Sequence, residues 1–220
     1  MYEIHHSSAV MKVVAFNGSP KEHGNTYEAL NIIANELTKE NIEVEIVHVG
    51  NKTIKGCQGC GACFRSKNER CIIDDEVNEW IQKMKEADGI LLGSPVHYAG
   101  VAGTMKCFLD RAFYVMGANG GMLRHKVGAS VVAVRRSGGM PTLEQLNHYL
   151  SYSEMLMPTS NYWNVIHGAK PGEVLEDLEG VQIMQVLAKN MVWLLKLREQ
   201  GKENVQEPEK EKKVMMNFIR

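Results

Sequence analysis

The sequence lacks an excess of charge of either sign: 25 Lys+Arg stand against 26 Asp+Glu, a formal net charge of -1 over 220 residues. Such a balance gives no general attraction to nucleic acid or to an anionic lipid surface. The chain also lacks any apolar run approaching the roughly 18 residues of a membrane span, so neither nucleic acid nor membrane is expected as a partner. No segment recurs at a period of about 20 to 50 residues, which excludes solenoids and propellers. The first ten residues, MYEIHHSSAV, have neither the basic start nor the apolar stretch of an export signal, and a cytoplasmic location is expected. Cysteine is scarce outside one stretch. Of the five, Cys57, Cys60, Cys63 and Cys71 lie together and Cys107 stands apart.

What is present is an ordinary globular composition, 44% hydrophobic and 23% charged, which argues against disorder. A domain of this length buries about 70% of the surface of its extended chain and needs no disulfide to hold a core. Short apolar runs alternate with longer helical patterns. Strands are expected at 12–16 (KVVAF), 44–49 (VEIVHV), 89–93 (GILLG), 127–134 (VGASVVAV) and, more weakly, 161–166. Helices are expected at 26–40, 77–86 after Asp74-Asp75, 103–115, 142–155 with Thr142 as cap, and 171–199 with a break near Gly180. Five strands each followed by a helix specify an α/β fold, a doubly wound five-stranded parallel sheet with helices on both faces. Its ligand crevice lies outside the carboxyl ends of the strands, so function is expected in the loops after strands one, three and four. One domain spans 11–200 with an inserted cysteine loop at 56–74. Residues 1–10 read as a leader or expression remnant, and 201–220 as a charged tail in which EPEKEKK precedes a short apolar end, VMMNFIR.

The loop after strand one, GSPKEHGNT at 18–26, is dense in small and hydroxyl residues. Free backbone N–H groups and the dipole at a helix start attract an anion, and Ser19, Asn25 and Thr26 add donors. Its spacing is not the Walker pattern, because five residues separate Gly18 from Gly24 and Asn25 stands in the lysine position. Nor is it G-x-G-x-x-G, and no acidic residue ends the second strand at His48-Val49-Gly50. A terminal phosphate monoester such as that of FMN remains; the alternative is an ordinary capped turn. After strand three, SPVHYAG at 94–100 combines Pro95, His97 and Tyr98 with small residues, suited either to a flat heterocycle or to a tight turn closing the core. After strand four, Arg135 and Arg136 precede Ser137-Gly138-Gly139. Arginine there suits an anionic reduced flavin or a pyridine-nucleotide phosphate, or is simply a solvated face.

The cysteine loop, C-x2-C-x2-C-x7-C, places three thiolates at a spacing of three among Gly56, Gly59, Gly61 and Ala62, with Cys71 returning to close the site. Four close cysteine thiolates suit a four-iron cluster. Zinc sites usually pair two C-x2-C knuckles and fit this spacing less well, while free, redox-active or disulfide-bonded cysteines are a further alternative. Cys107, inside a helical pattern, reads as a small buried hydrophobe.

These segments together resemble the iron-sulfur flavoproteins within the flavodoxin-like, NAD(P)H-dependent FMN reductase group. The likeness covers about residues 11–200 and is carried by FNGSPKEHGNT, GCQGCGACFRSKNERCIIDDEV, ADGILLGSPVHYAGVAGTMKCFLDR and VAVRRSGG. The resemblance implies FMN, its phosphate held by Ser19, Lys21, Asn25 and Thr26, and its ring against Pro95, Val96, His97 and Tyr98 with Gly138 and Gly139 nearby. Arg136 joins these as a cofactor-binding candidate. Cys57, Cys60, Cys63 and Cys71 would hold a [4Fe-4S] cluster. The implied activity is electron transfer from a reduced donor, with NAD(P)H as co-substrate, through FMN and cluster to a small-molecule or protein acceptor. A homodimer or homotetramer is implied, and the apolar end of the tail suits an arm on a neighbour. Because the cofactors carry the chemistry, no general acid or base is assigned. Two rivals stand beside this: a flavin or quinone-type reductase whose cysteine loop binds zinc or is redox-active, and a non-catalytic, metal-stabilised nucleotide-binding module.

Overall fold

A computed structural model describes residues 10–216. The apolar runs at 12–16, 89–93 and 127–134 form strands that helices cover on both faces of the sheet, so successive residues are buried in opposite directions and no polar alternation survives there. In β1 (Lys12–Asn17), Val14 and Phe16 enter one core, while Val13 and Ala15 enter the other. The first core is built with Trp80, Ile81, Phe108 and Leu146 from α3 (Glu76–Glu86), α4 (Gly103–Ala118) and α5 (Gly139–Tyr152). The second is built with Leu30, Ile33, Met184 and Leu187 from α1 (Asn25–Lys39) and α6 (Leu178–Gly201).

The parallel strands run in the order β2 (Glu43–His48), β1, β3 (Gly89–His97), β5 (Val127–Val134), β6 (Val165–His167), with β4 (Gly100–Val101) a short antiparallel addition to β3. This is the flavodoxin-like arrangement, in which chain direction switches between the first and third strands and opens a crevice at their carboxyl ends. Among the described residues no helix is long and apolar enough to cross a membrane.

The structure departs from the sequence reading at several boundaries. The fifth parallel strand is only three residues long, and it begins after a turn in which Ser160 Oγ donates to Asn164 Oδ1 at 2.7 Å. Side chains that hydrogen-bond locally in this way compete with a ladder. The long C-terminal helix breaks at Asp177, not Gly180: a 3-10 turn (Glu173–Glu176) ends there, and Asp177 caps α6 by accepting from the Gly180 N–H at 2.9 Å. Thr142 is not a cap. It lies inside α5 with its hydroxyl donating to the Gly138 carbonyl at 2.8 Å, and left-handed Gly138 starts the helix. Helix α2 (Ala62–Ser66) forms within the cysteine loop. Beyond α6 the tail lies against its own chain, with Glu207 3.3 Å from His125 and Lys210 donating to the Gly120 carbonyl at 2.6 Å. Val214, Met215 and Met216 are exposed; 217–220 at the apolar end, and 1–9 of the leader, lie outside the described residues.

At the amino ends of the strands, Lys126 donates to the carbonyls of Lys85 (2.7 Å) and Ala87. Burial, with Arg198 nearby, pushes its pKa down to about 8. In the unfolded chain the value returns to about 10.4, so only the unfolded state keeps the proton between these limits, and stability rises there with pH. Denaturant titrations should therefore show wild type gaining stability over Lys126→Met as pH climbs from about 8 to about 10.4; a constant difference would contradict this.

Candidate functional site

The chain leaves β1 through backbone that neighbouring strands fix from two sides. Gly18 N–H donates to the Gly93 carbonyl at 2.8 Å, and the N–H groups of Val49 and Gly50 donate to the Asn17 carbonyl at 2.9 and 3.1 Å. Asn17, only 1% exposed, ties the loop internally, accepting from Ser19 N–H at 3.0 Å and donating to the Glu22 carbonyl at 3.0 Å. Gly50 sits so close that a Cβ there would overlap the Ser19 carbonyl. His48 adds a ring nitrogen 2.8 Å from that same oxygen.

This loop delivers α1 with no side chain capping it. Its first helical hydrogen bond runs from Glu28 N–H to the Gly24 carbonyl, so the amides of Asn25, Thr26 and Tyr27 precede the ladder. Ser19 Oγ accepts from Lys21 N–H at 3.1 Å, which leaves the hydroxyl proton free to donate elsewhere. Asn25 Oδ1 and Thr26 Oγ1 are shut off from solvent with no protein partner. Leaving a buried polar group unpaired costs about 1–3 kcal/mol, and both lie beside a helix start that favours an anion. Turning the Asn25 amide over presents its NH2 as a further donor. The residues present therefore fit a phosphate.

A cavity of about 230 Å³ opens at this point, lined by Ser19, Lys21, Asn25 and Thr26 on one side and by Pro95, Val96 and His97 on another. Its remaining wall comes from Ala133 and Arg135 after β5 and from Gly168, Ala169 and Pro171 after β6. Pro95–His97 are carried by a hairpin: Val96 pairs with Val101 and His97 with Gly100, across Tyr98 and Ala99 at φ 49° and 56°. Two left-handed residues match the favoured two-residue hairpin turn, but without glycine they are strained. Tyr98 is fully exposed and does not line the cavity. Gly138 (φ +87°) packs under the hairpin, where a Cβ would come within 2.9 Å of Ala99 Cα and Val96 Cγ1. Arg136, Gly138 and Gly139 line a neighbouring cavity of about 340 Å³ together with Tyr162, Trp163 and Asp177.

The cysteine loop forms a separate pocket on the α3–α4 side. Gly59 and Gly61 turn it at φ +60° and +66°, and Cys57, Cys60, Cys63 and Cys71 all line one small cavity of about 20 Å³ beside Arg111 and Tyr114. Cys57 and Cys60 are exposed, Cys63 is buried, Cys71 is half-buried, and all are free thiols. Burial pushes the Cys63 thiol above its ordinary pKa. Asn78, 2% exposed on α3, holds the returning strand of the loop by accepting from Cys71 N–H at 2.7 Å and donating to the carbonyls of Cys71 (3.1 Å) and Ile73 (3.0 Å). Among the described residues no group of three or more His, Cys, Asp or Glu side chains is gathered closely enough to hold a single metal ion. Cys107 is half-buried on α4 and borders the loop at Gly56.

The sequence model of the NADPH-dependent FMN reductases matches residues 11–170. The chain belongs to this family. Like other NADPH-dependent FMN reductase family members it is a flavin-dependent oxidoreductase. An iron-sulfur flavoprotein of Methanocaldococcus jannaschii is 35% identical over 194 residues, covering 85% of this chain and 98% of its own. One from Methanosarcina thermophila is 30% identical over 202 residues, covering 88% and 100%. Among solved structures, the flavoenzyme NAD(P)H:(acceptor) oxidoreductase of Paracoccus denitrificans superposes with a TM-score of 0.64 at 13% identity, covering 86% of this chain and 98% of that one. A flavodoxin from an archaeon gives 0.56 at 17% identity, covering 84% and 99%. At such identities these two establish the fold alone.

In this family member, then, the loops after β1 and β3 meet at one cavity, as their sequences suggested, and the cysteines meet at another. Four residues escaped the sequence reading: Gly168 and Pro171 follow a strand too short to read, and His48 and Asn78 work from behind; of the arginine pair, Arg135 and not Arg136 lines the first cavity. A Cβ at Gly50 must displace the Ser19 carbonyl, so Gly50→Ala should weaken FMN binding at least about tenfold, ~1.4 kcal/mol. Flavin fluorescence titration of the apoprotein would read this, and unchanged affinity would mean the loop is not the binding element.

Proposed function

We propose that this reductase binds FMN with its phosphate in the loop after β1, holds a [4Fe-4S] cluster on Cys57, Cys60, Cys63 and Cys71, and carries electrons from a reduced donor to a small-molecule or protein acceptor. The observation that carries the flavin assignment is the pair of buried, unpartnered oxygens Asn25 Oδ1 and Thr26 Oγ1 beside the uncapped start of α1. Bound FMN supplies two-electron uptake with one-electron release, and a cluster supplies one-electron storage.

The chain's own residues prepare the first site. Ser19 and Thr26 donate hydroxyl protons to the phosphate, the amides at the start of α1 add theirs, and Lys21 contributes charge. Pro95, Val96 and His97 form the wall for the ring, the strained turn at Tyr98 holds that wall, and Gly138 lets the β5 loop approach it, while Gly139 packs on Val165. Arg135 offers a fixed cation to an anionic reduced ring. NAD(P)H as donor is the second reading. It is favoured by the adjoining cavity, which Arg136 lines together with the aromatic pair Tyr162 and Trp163, a combination suited to a phosphate and a base.

The donor set of the second site is four thiols on a glycine-turned loop sharing one cavity. Zinc sites usually pair two C-x2-C knuckles, whereas four close thiols of the spacing C-x2-C-x2-C-x7-C that share one cavity suit a cluster, so the donor set favours the cluster over zinc. The names of the curated relatives support the same choice. The exposed apolar residues at the end of the tail, Val214 to Met216, favour association into at least dimers.

Removing the donors at Asn25 and Thr26 by a double alanine substitution should lower FMN affinity at least tenfold, since each hydrogen bond to a charged group contributes about 1.5–3 kcal/mol; unchanged affinity would refute the phosphate assignment. In anaerobically purified protein, alanine at any one of the four cysteines should lower iron and acid-labile sulfide together while FMN stays bound. Wild-type protein with full FMN, no iron and one zinc per chain would overturn the cluster and leave the flavin reductase standing.

A further inference from the structure

Arg111 is the one arginine among the described residues whose side chain is wholly buried. It sits on the face of α4 that Phe108, Leu109 and Ala112 commit to the core. Nη1 donates to Asp75 Oδ2 at 2.6 Å, and Nη2 donates to Asp75 Oδ1 at 2.8 Å and to the Ile73 carbonyl at 3.1 Å. The third nitrogen, Nε, is buried and has no partner. Arg111 lines the cysteine cavity together with all four cysteines, whereas Asp75 does not. The Asp75 carboxylate is drawn away to the start of α3, where it also accepts from Val77 N–H at 3.2 Å. The ion pair is therefore oriented, with its positive partner on the cavity side. Of the other charged groups of the loop, Arg65, Lys67, Arg70 and Asp74 are exposed to water, which screens them, and Glu69 is paired with Lys85 at 2.5 Å.

We propose that Arg111 is the positioning residue that sets the charge of the cysteine pocket, a fixed cation whose unused Nε–H serves the sulfur-bound centre and raises its reduction potential. This rests on the cluster reading above. A centre held by four thiolates gains negative charge when it takes up an electron, and a buried cation in low dielectric favours the reduced form. Hydrogen bonds to the sulfurs act in the same direction. Arginine suits the task because its fork lets two nitrogens be anchored by Asp75 and Ile73 while one remains for the pocket.

The test is the midpoint potential of the iron-sulfur signal, followed by electron paramagnetic resonance during redox titration of anaerobically purified, FMN-loaded full chain, with iron and sulfide counted in every sample. Arg111→Gln should shift the oxidised-to-reduced ratio at fixed poise at least tenfold toward the oxidised form, a potential about 59 mV lower for one electron. Asp75→Asn, which frees the cation from its counter-charge, should move the potential the opposite way. A merely structural role would loosen the pocket and lower iron content in both without separating their potentials. Should Arg111→Gln fail to fold, Asp75→Asn and the charge-conserving Arg111→Lys decide: a raised potential in the first and a near wild-type one in the second support the assignment. Full iron with potentials unmoved, or moved in one direction by both charge-removing variants, overturns it while leaving the cluster in place. Wild-type protein without iron or sulfide overturns the cluster reading, and this inference with it.

Discussion

The uncapped start of α1 is the constraint on which the site depends. A helix of 15 residues begins beside a buried crevice, and its first amides have no side-chain acceptor. The surrounding backbone cannot turn aside to satisfy them. Asn17, Gly18 and Gly50 are bonded across three adjacent strands, and Met105 of α4 packs so closely on Gly18 that a Cβ there would come within 2.7 Å of its own. Buried donors held in this way are preorganised: the cost of orienting them is met when the protein folds, and an arriving anion gains the hydrogen bonds without reordering the loop.

Helix α4 links this site to the cysteine pocket. Met105 packs on the loop after β1, and Arg111, six residues on and about 9 Å further along the axis, walls the cysteine cavity. Tyr114 continues the same wall and meets Phe64 of the cysteine loop with ring centroids 5.2 Å apart. A rigid, core-packed helix thus fixes the separation of the two sites. The cysteine loop itself has little regular structure and takes its shape from elements behind it, chiefly Asn78 on α3 and the Arg111–Asp75 pair.

The sequence made the scaffold legible wherever periodicity and turn chemistry agreed. KVVAF followed by GSPKEHGNT names a buried strand, a small-residue loop and a helix start in order, and the structure keeps all three. Legibility failed where tertiary contact outweighs local pattern. The last strand is three residues long and is positioned by pairing with Val132–Val134, so the approach of Gly168 and Pro171 to the cavity had no local signal. Arg135 and Arg136 are adjacent at a strand end, where side chains alternate, so only the observed register assigns each to its cavity. For Asn78 and Arg111 a signal was available: each is a polar residue at a helical position that its apolar neighbours commit to the core, and a buried polar group of that kind needs a partner.

The central claim is that this crevice recognises a phosphate monoester as well as a flavin ring. The most direct measurement compares the affinities of the apoprotein for FMN and for riboflavin, which share the ring and differ only in the phosphate. Two or more charge-assisted hydrogen bonds at about 1.5–3 kcal/mol each predict that FMN binds at least roughly a hundredfold more tightly. Equal affinities would contradict the account, because they would mean that the buried donors at the start of α1 do not meet the ligand.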